Sequence, residues 1–347
     1  MQKPTMILNP HFRKMDELFS DETREELFGL CEIIGGTDAP LSDATINAHL
    51  AKASFLVAAR PIIDEEMLRK APQLRSVIEV SGAFHEEIDY RACHSHGVEV
   101  LSCAPGFRQS VAEMGLAMML AAGRGLVAEH EAFRSGRENW LDDRSSTDFS
   151  LFRQSVGFVG YGNIARELHR LIEPFQPSVA AYDPWLSRFP DGVTAMSLKN
   201  LFETCRIVVV TAVPSEDNAG LIDTDAINSM SRGSALILLS RAHVIDFAAA
   251  LSAARTGKIT LATDVYPSEP VPQGDAMRSN PGVIHSPHRA AAVPGGRQLI
   301  GDMILHDVKS ILNGRSERHL LKADVDRVSE LVEAQRKIEA MGKLPNT

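Results

Sequence analysis

The chain has 347 residues, more than one ordinary domain of roughly 100–200 residues and enough for two. Its 44% hydrophobic content suffices for real cores, and a net charge of -9, from 36 basic and 45 acidic residues without long runs, argues against a nucleic-acid surface. Four cysteines (Cys31, Cys93, Cys103 and Cys205) lack metal-ligand spacing, no apolar leader follows the first charges, and the most apolar helical stretch, 114–122, is too short to span a bilayer. Together these read as a cytoplasmic protein with reduced thiols, no resident metal, and neither a membrane nor a nucleic-acid partner.

Apolar strands are predicted at 6–9, 31–34, 55–58, 76–80 and 98–101, with helical patterns between them such as 64–69 and 88–96. That alternation predicts a parallel sheet with helices on both faces. Ala104-Pro105-Gly106 breaks the pattern and reads as an extended domain crossing. A strongly apolar helix is predicted over 110–126, with Ser110 as N-cap and Glu113 completing a capping box. Residues 129–150 read as polar and irregular around Trp140. A second series of strands follows at 156–159, 207–212, 235–239, 260–264 and 282–285. A helix over 295–312 and a charged amphipathic helix over 325–341 close the chain. The whole reads as α/β, two doubly wound parallel-sheet units.

Residues 156–184 carry the most specific pattern. Four apolar residues lead into Gly160-Tyr161-Gly162-Asn163-Ile164-Ala165, a helical pattern follows, and a second apolar strand ends at Asp183. A dinucleotide needs this order of parts. Gly160 permits the tight turn, Gly162 leaves room for the pyrophosphate, and Ala165 lets helix and strand pack closely. The phosphates then meet the free N–H groups and positive dipole end of the helix. Asp183 can accept hydrogen bonds from ribose hydroxyls and would repel a 2′-phosphate, which favours NAD over NADP. The plainer alternative is a βαβ turn whose glycines serve packing alone.

Three polar segments follow later strands of the same unit: Ser240-Arg241-Ala242, residues 264–270, and Ser286-Pro287-His288-Arg289-Ala290-Ala291. Ligands of doubly wound sheets bind at that edge. Together the segments supply a cation, a carboxylate and an imidazole, the set that reduction of a 2-oxo acid requires. A guanidinium forks onto the substrate carboxylate and polarises its carbonyl. An imidazolium donates a proton to the oxygen as hydride arrives, and a carboxylate behind it holds its orientation. Taken singly, Arg241 reads as a surface arginine, Glu269 as a turn residue and His288 as a surface histidine; their joint placement is what points to chemistry.

From about residue 74 to 312 the chain resembles the D-isomer-specific 2-hydroxyacid dehydrogenases. The resemblance rests on Ile88-Asp89, Gly97-Val98-Glu99-Val100, Pro105-Gly106 with Ser110-Val111-Ala112-Glu113, the glycine turn with Tyr182-Asp183-Pro184, Val213-Pro214, Gly220-Leu221-Ile222, Ser240-Arg241, Asp264-Val265 with Glu269-Pro270, and Ser286-Pro287-His288. It implies Arg241, Glu269 and His288 as catalytic residues. It implies cofactor contacts from Gly160, Gly162, Asn163, Ile164, Asp183, Val213, Pro214, Ser240, Arg241, Asp264, His288 and Ala290, with Asp264 near the nicotinamide carboxamide. Substrate contacts would come from Arg241 and His288, from the backbone of Gly82 and Ala83, and from Arg60. The implied architecture is a Rossmann NAD-binding domain, residues 105–294, inserted in a flavodoxin-like substrate domain of residues 1–104 plus 295–347, with hinges at both crossings. The implied assembly is a homodimer held by the helix over 111–126 and the arm around Trp140, although Trp140 packing on its own subunit is equally open.

Some positions depart from the family pattern. The substrate loop reads Gly82-Ala83-Phe84-His85-Glu86, with Phe84 where a glycine is usual; it either reshapes the pocket or fills a core gap. Arg60 reads either as a reader of a phosphate or second carboxylate or, the favoured reading, as a solvated side chain. Ala242 replaces a usual glycine, Asn218 a common threonine, and Arg188 lies near enough to Asp183 to bear on NADP. The implied reaction is NAD(H)-dependent interconversion of a small 2-oxo acid and its D-2-hydroxy acid. The hydroxypyruvate or glyoxylate reductase type is favoured, because no regulatory domain is seen after the core. The alternatives are a phosphoglycerate dehydrogenase-like activity and an NAD(H)-sensing, corepressor-like binding protein.

Overall fold

The computed structural model describes residues 3–141, 147–212, 218–333 and 336. The described residues form two compact units, one of residues up to Arg108 together with those from Ala291 onward, the other of Gln109–Ala290.

The first unit is built on β1 (Thr5–Asn9), β2 (Glu32–Gly35), β3 (Ala53–Ala58), β4 (Ser76–Glu79) and β5 (Glu99–Ser102). These five strands are parallel and lie in the order β5-β4-β3-β1-β2, the flavodoxin-like arrangement. A short β13 (Leu321–Lys322), absent from the sequence reading, pairs antiparallel with β5. Alternation along β1 shows how both faces are used. Met6 and Leu8 join a core with Phe55, Val57 and Ile78, whereas Ile7 joins another with Leu56 and Val77. The first core is covered by α1 (Met15–Leu18), α2 (Asp21–Leu30) and the C-terminal helix α12 (Leu299–Leu312), which buries Ile300, Met303, Ile304 and Val308. The second lies under α3 (Asp43–His49), α4 (Glu65–Lys70) and α5 (Tyr90–Ser95). Ser20, Ser42, Asp64 and Asp89 cap α2 to α5 by accepting an amide of the first turn.

The second unit holds β6 (Ser155–Val159), β7 (Ser178–Tyr182), β8 (Val193–Ala195), β9 (Ile207–Val210), β10 (Ser234–Leu238), β11 (Ile259–Thr263) and β12 (Val283–His285). All pairings among them are parallel, in the order β12-β11-β10-β9-β6-β7-β8. Counted from β6 this is the dinucleotide-fold order, and the winding reverses between β6 and β9. The central strands are buried along their length and mostly apolar, as Ile207–Val210 and Ser234–Leu238 show, because helices cover both faces. Those helices are α6 (Arg108–Gly123), α7 (Leu126–Arg134), α8 (Asn163–Ile172), α9 (Leu198–Thr204), α10 (Thr224–Ser229) and α11 (Phe247–Arg255).

Three expectations change. The segment Ala104–Phe107 is not extended but coils as a 3₁₀ turn that runs straight into α6. Ser110 is therefore inside the helix, buried, and its hydroxyl donates to the Ala290 carbonyl at 2.7 Å instead of capping the N-terminus. The stretch expected to be irregular after residue 129 is helical to Arg134. Of the expected C-terminal helix, residues 328–333 are helical, and most of the remainder lies outside the described residues. Among the described residues no single helix is long and apolar enough to cross a membrane, and all four cysteines are free and buried.

Candidate active site

The glycine turn sits where β6 meets α8. Gly160 adopts φ +83°, and a Cβ there would lie 2.5 Å from Ala212 Cα, so both the conformation and the packing require glycine. Gly162 is different: it has ordinary φ, and nothing stands within 4 Å of where its Cβ would be. It also opens α8 with no side-chain cap, unlike α9, α10 and α11, which begin on Ser197, Asp223 and Asp246. Open space over uncapped helix amides is what a pyrophosphate needs. Asp183, just past β7, binds the turn itself: Oδ2 accepts the Tyr161 N–H at 2.8 Å and Oδ1 accepts the Trp185 N–H at 3.0 Å. Asn163 and Ile164 form the first turn of α8, and Ala165 is fully buried beneath it. Past β10, the Ser240 hydroxyl is buried and lacks a hydrogen-bond partner among the described residues, an orphan that a bound ligand would satisfy. The residues present therefore fit a dinucleotide. Val213 and Pro214 lie outside the described residues.

The three side chains of the sequence reading emerge from β10, β11 and β12, and two of them touch. Nδ1 of His288 is 2.6 Å from Oε2 of Glu269. An ionised carboxylate only accepts, so the imidazole donates from Nδ1, and Nε2 is left to exchange a proton. Oε1 of Glu269 accepts the Tyr266 N–H at 2.9 Å, which fixes the carboxylate from its other side. Burial pushes the Glu269 carboxyl up, but the His288 hydrogen bond and charge, the Tyr266 amide and the Arg241 charge outweigh it and hold the group below the usual range. Arg241 follows Ser240, donating from Nη1 to its carbonyl at 2.8 Å. Burial draws its guanidinium down, and the charge of Glu269 opposes that.

His288 occupies the left-handed region at φ +51°. Histidine enters that region more readily than most residues, but a surrounding framework still has to hold it there. Asp264 supplies the framework. This buried carboxylate accepts the Ser286 hydroxyl and the Arg289 N–H on Oδ1 and the Ala290 N–H at 3.0 Å on Oδ2, while its backbone carbonyl takes the His288 N–H at 2.9 Å. The sequence reading assigned Asp264 to the cofactor and missed this grip. Its signal, an acid after β11 whose partners are one serine hydroxyl and two backbone amides more than twenty positions later, has no periodicity to betray it.

In the first unit, Gly82 has φ +101°, and a Cβ would fall 2.5 Å from the Phe107 ring. Its N–H, which the resemblance offers to a substrate carboxylate, already donates to Glu79 Oε2 at 2.9 Å, as does the Ser81 N–H. Ala83 is half-buried beside it and Arg60 is exposed. Phe84 is buried and meets Tyr90 edge-on at 5.9 Å, so it fills the core. His85 and Ser81 continue the Glu79 network at 2.6 and 2.7 Å, respectively.

Residues 116–290 match the family model described as D-isomer specific 2-hydroxyacid dehydrogenase, NAD binding domain. The chain belongs to this 2-hydroxyacid dehydrogenase family. Among solved structures, a phosphoglycerate oxidoreductase from Rhizobium etli superposes with a TM-score of 0.83 and 31% identity, over 93% of this chain and 99% of that one. The D-3-phosphoglycerate dehydrogenase of Archaeoglobus fulgidus is 26% identical over 270 residues, 77% of this chain and 50% of its own length. The glyoxylate reductase of Korarchaeum cryptofilum is 25% identical over 300 residues, 84% of this chain and 89% of its own. The chain thus spans about half the length of that phosphoglycerate dehydrogenase. The region that matches the family model contains the glycine turn, Arg241, Glu269 and His288.

Proposed function

We propose that the protein is an NAD(H)-dependent oxidoreductase that interconverts a small 2-oxo acid and its D-2-hydroxy acid. The observation that carries this reading is the His288–Glu269 pair at 2.6 Å, on the loops after β12 and β11 of a dinucleotide-type sheet. The nicotinamide, when bound, supplies or accepts the hydride. In the reducing direction His288 delivers a proton from Nε2 to the substrate oxygen. Glu269 holds the ring so that Nε2 faces the reaction and stabilises the charged imidazolium. Arg241 forks onto the substrate carboxylate and polarises the carbonyl, a role that its delocalised charge suits better than a lysine would. Asn163, Ile164, Gly160, Gly162, Asp183, Ser240 and Ala290 would line the dinucleotide, with Asp264 beneath the nicotinamide-side loop. Asp183 favours NAD over NADP by charge.

In the first unit Gly82, Ala83 and Arg60 are the candidate substrate contacts, with the Gly82 amide already engaged by Glu79. In the second unit Arg241 is the candidate for the substrate carboxylate. A glyoxylate or hydroxypyruvate reductase type is favoured, with a phosphorylated substrate read by Arg60 as the alternative. We place the enzyme in the cytoplasm, which suits four free thiols. A homodimer through α6 and α7 is supported by Leu126, Phe133 and Trp140, which are 61%, 61% and 77% exposed and cluster on one arm, with the Phe133 and Trp140 rings 6.5 Å apart.

Steady-state NADH and NADPH oxidation with hydroxypyruvate, glyoxylate, pyruvate and phosphohydroxypyruvate tests the reading. Turnover with NADH and an unphosphorylated 2-oxo acid is the expected result. NADH binding by folded protein without turnover of any of the four overturns it.

A further inference from the structure

The sequence reading expects no metal, yet the first unit assembles a donor set that has no role in the site described above. His306 lies on α12, and Glu317 and His319 lie on the segment that leads to β13. One ligand atom from each of the three falls within 4.8 Å of the other two. The imidazoles of His306 and His319 stack with centroids 3.5 Å apart and planes 1° from parallel, and Glu317 Oε1 is 3.8 Å from His319 Nε2.

The support behind these side chains decides the reading. Asp307 is fully buried, and its Oδ1 lies 2.9 Å from His306 Nδ1 while also accepting the His319 N–H at 2.7 Å. Its Oδ2 accepts the Leu320 N–H at 2.9 Å. A single carboxylate thus fixes the ring of His306 and the backbone of His319. An Nδ1–H donated to a carboxylate leaves Nε2 with its lone pair outward, the tautomer and the carboxylate–histidine pairing found behind metal-bound imidazoles.

We propose that His306, Glu317 and His319 form a binding site for one divalent cation of the zinc class, with Asp307 orienting it from behind. Two imidazole nitrogens and one carboxylate oxygen suit a borderline-soft ion, with water completing the coordination. Nitrogens on a tetrahedral zinc stand roughly 3.3 Å apart for Zn–N bonds of about 2.0 Å, close to the ring stacking distance. Parallel rings aim their lone pairs side by side, so binding splays them. His306 is held by Asp307, and the exposed His319 makes the larger turn. The bound ion would fasten the middle of α12 to the segment before β13.

The test is titration of the chelator-stripped full chain with Zn²⁺ against a chromophoric competitor, with Co²⁺ as a spectroscopic probe. The expected result is one saturable equivalent, a rise in Tm with Zn²⁺, and a Co²⁺ d–d absorption of tetrahedral intensity. His319→Ala, an exposed position, should weaken that step by at least about ten-fold and abolish both the Tm rise and the absorption. Glu317→Gln should weaken it less. Absence of a saturable equivalent in the unmodified chain overturns the proposal, and so does an equivalent whose affinity His319→Ala leaves unchanged.

Discussion

Nδ1 of His288 stands 2.6 Å from Oε2 of Glu269, while Oε1 of the same carboxylate takes the Tyr266 N–H at 2.9 Å. The imidazole is thus aimed by an acid that is itself immobilised by backbone. If His288 is the proton donor, His288→Ala should lower kcat by about 10²–10⁴-fold and leave the NADH dissociation constant unchanged. Stopped-flow turnover alongside a fluorescence titration separates the two; equal losses in both would assign His288 a structural role.

The same pair predicts a pH dependence. Because the folded carboxyl of Glu269 lies below its ordinary value, its contribution to stability is present above the usual glutamate range of about 4.3 and fades as pH falls through the lower folded value. Urea midpoints of the native protein and Glu269→Gln should therefore differ at neutral pH and converge in acid. A gap that stays constant down to strongly acidic pH would show that the ionised carboxylate is not its source.

The two turn glycines should respond in opposite ways. Gly160→Ala forces a Cβ to within 2.5 Å of Ala212 Cα at a φ of +83°, so it should cost about 1–3 kcal/mol or more of stability. Gly162→Ala meets nothing within 4 Å and should leave the urea midpoint nearly unchanged while weakening NADH binding. Chemical denaturation and cofactor titration of both variants check this. Full NADH affinity in Gly162→Ala would mean that the open space is not where the phosphates lie.

Asp264→Asn replaces one acceptor oxygen with a donor among the groups that Ser286, Arg289 and Ala290 present. At least one buried N–H then loses its partner, a cost of about 1–3 kcal/mol, and the loop that holds His288 loosens. The variant should lower both Tm and kcat. A fall in cofactor affinity alone, with Tm intact, would favour direct contact between Asp264 and the nicotinamide.

The two sheets were legible because buried parallel strands such as Ile207–Val210 and Phe55–Ala58 write themselves as unbroken apolar runs. The candidate site was legible because the glycine turn and the three segments after β10, β11 and β12 each stand at a strand end. What escaped was decided by distant partners. Ser110 with Glu113 has the local form of a capping box, but the hydroxyl is claimed by a carbonyl 180 residues away. Gly82 reads as a free amide until Glu79, buried at the end of β4, takes it. β8 and β13, three and two residues long, are too short to show a period. The imidazole stack of His306 and His319 depends on a turn that brings the chain back beside α12, which spacing alone does not announce.

The bond from Ser110 to the Ala290 carbonyl pins the entrance of the second unit to its exit. A segment whose two ends are clasped in this way is a cassette. It closes its own loop, so a host chain can receive it at one surface position without being pried open. Breaking the clasp with Ser110→Ala would let the cassette's two ends drift apart before the unit lost its fold.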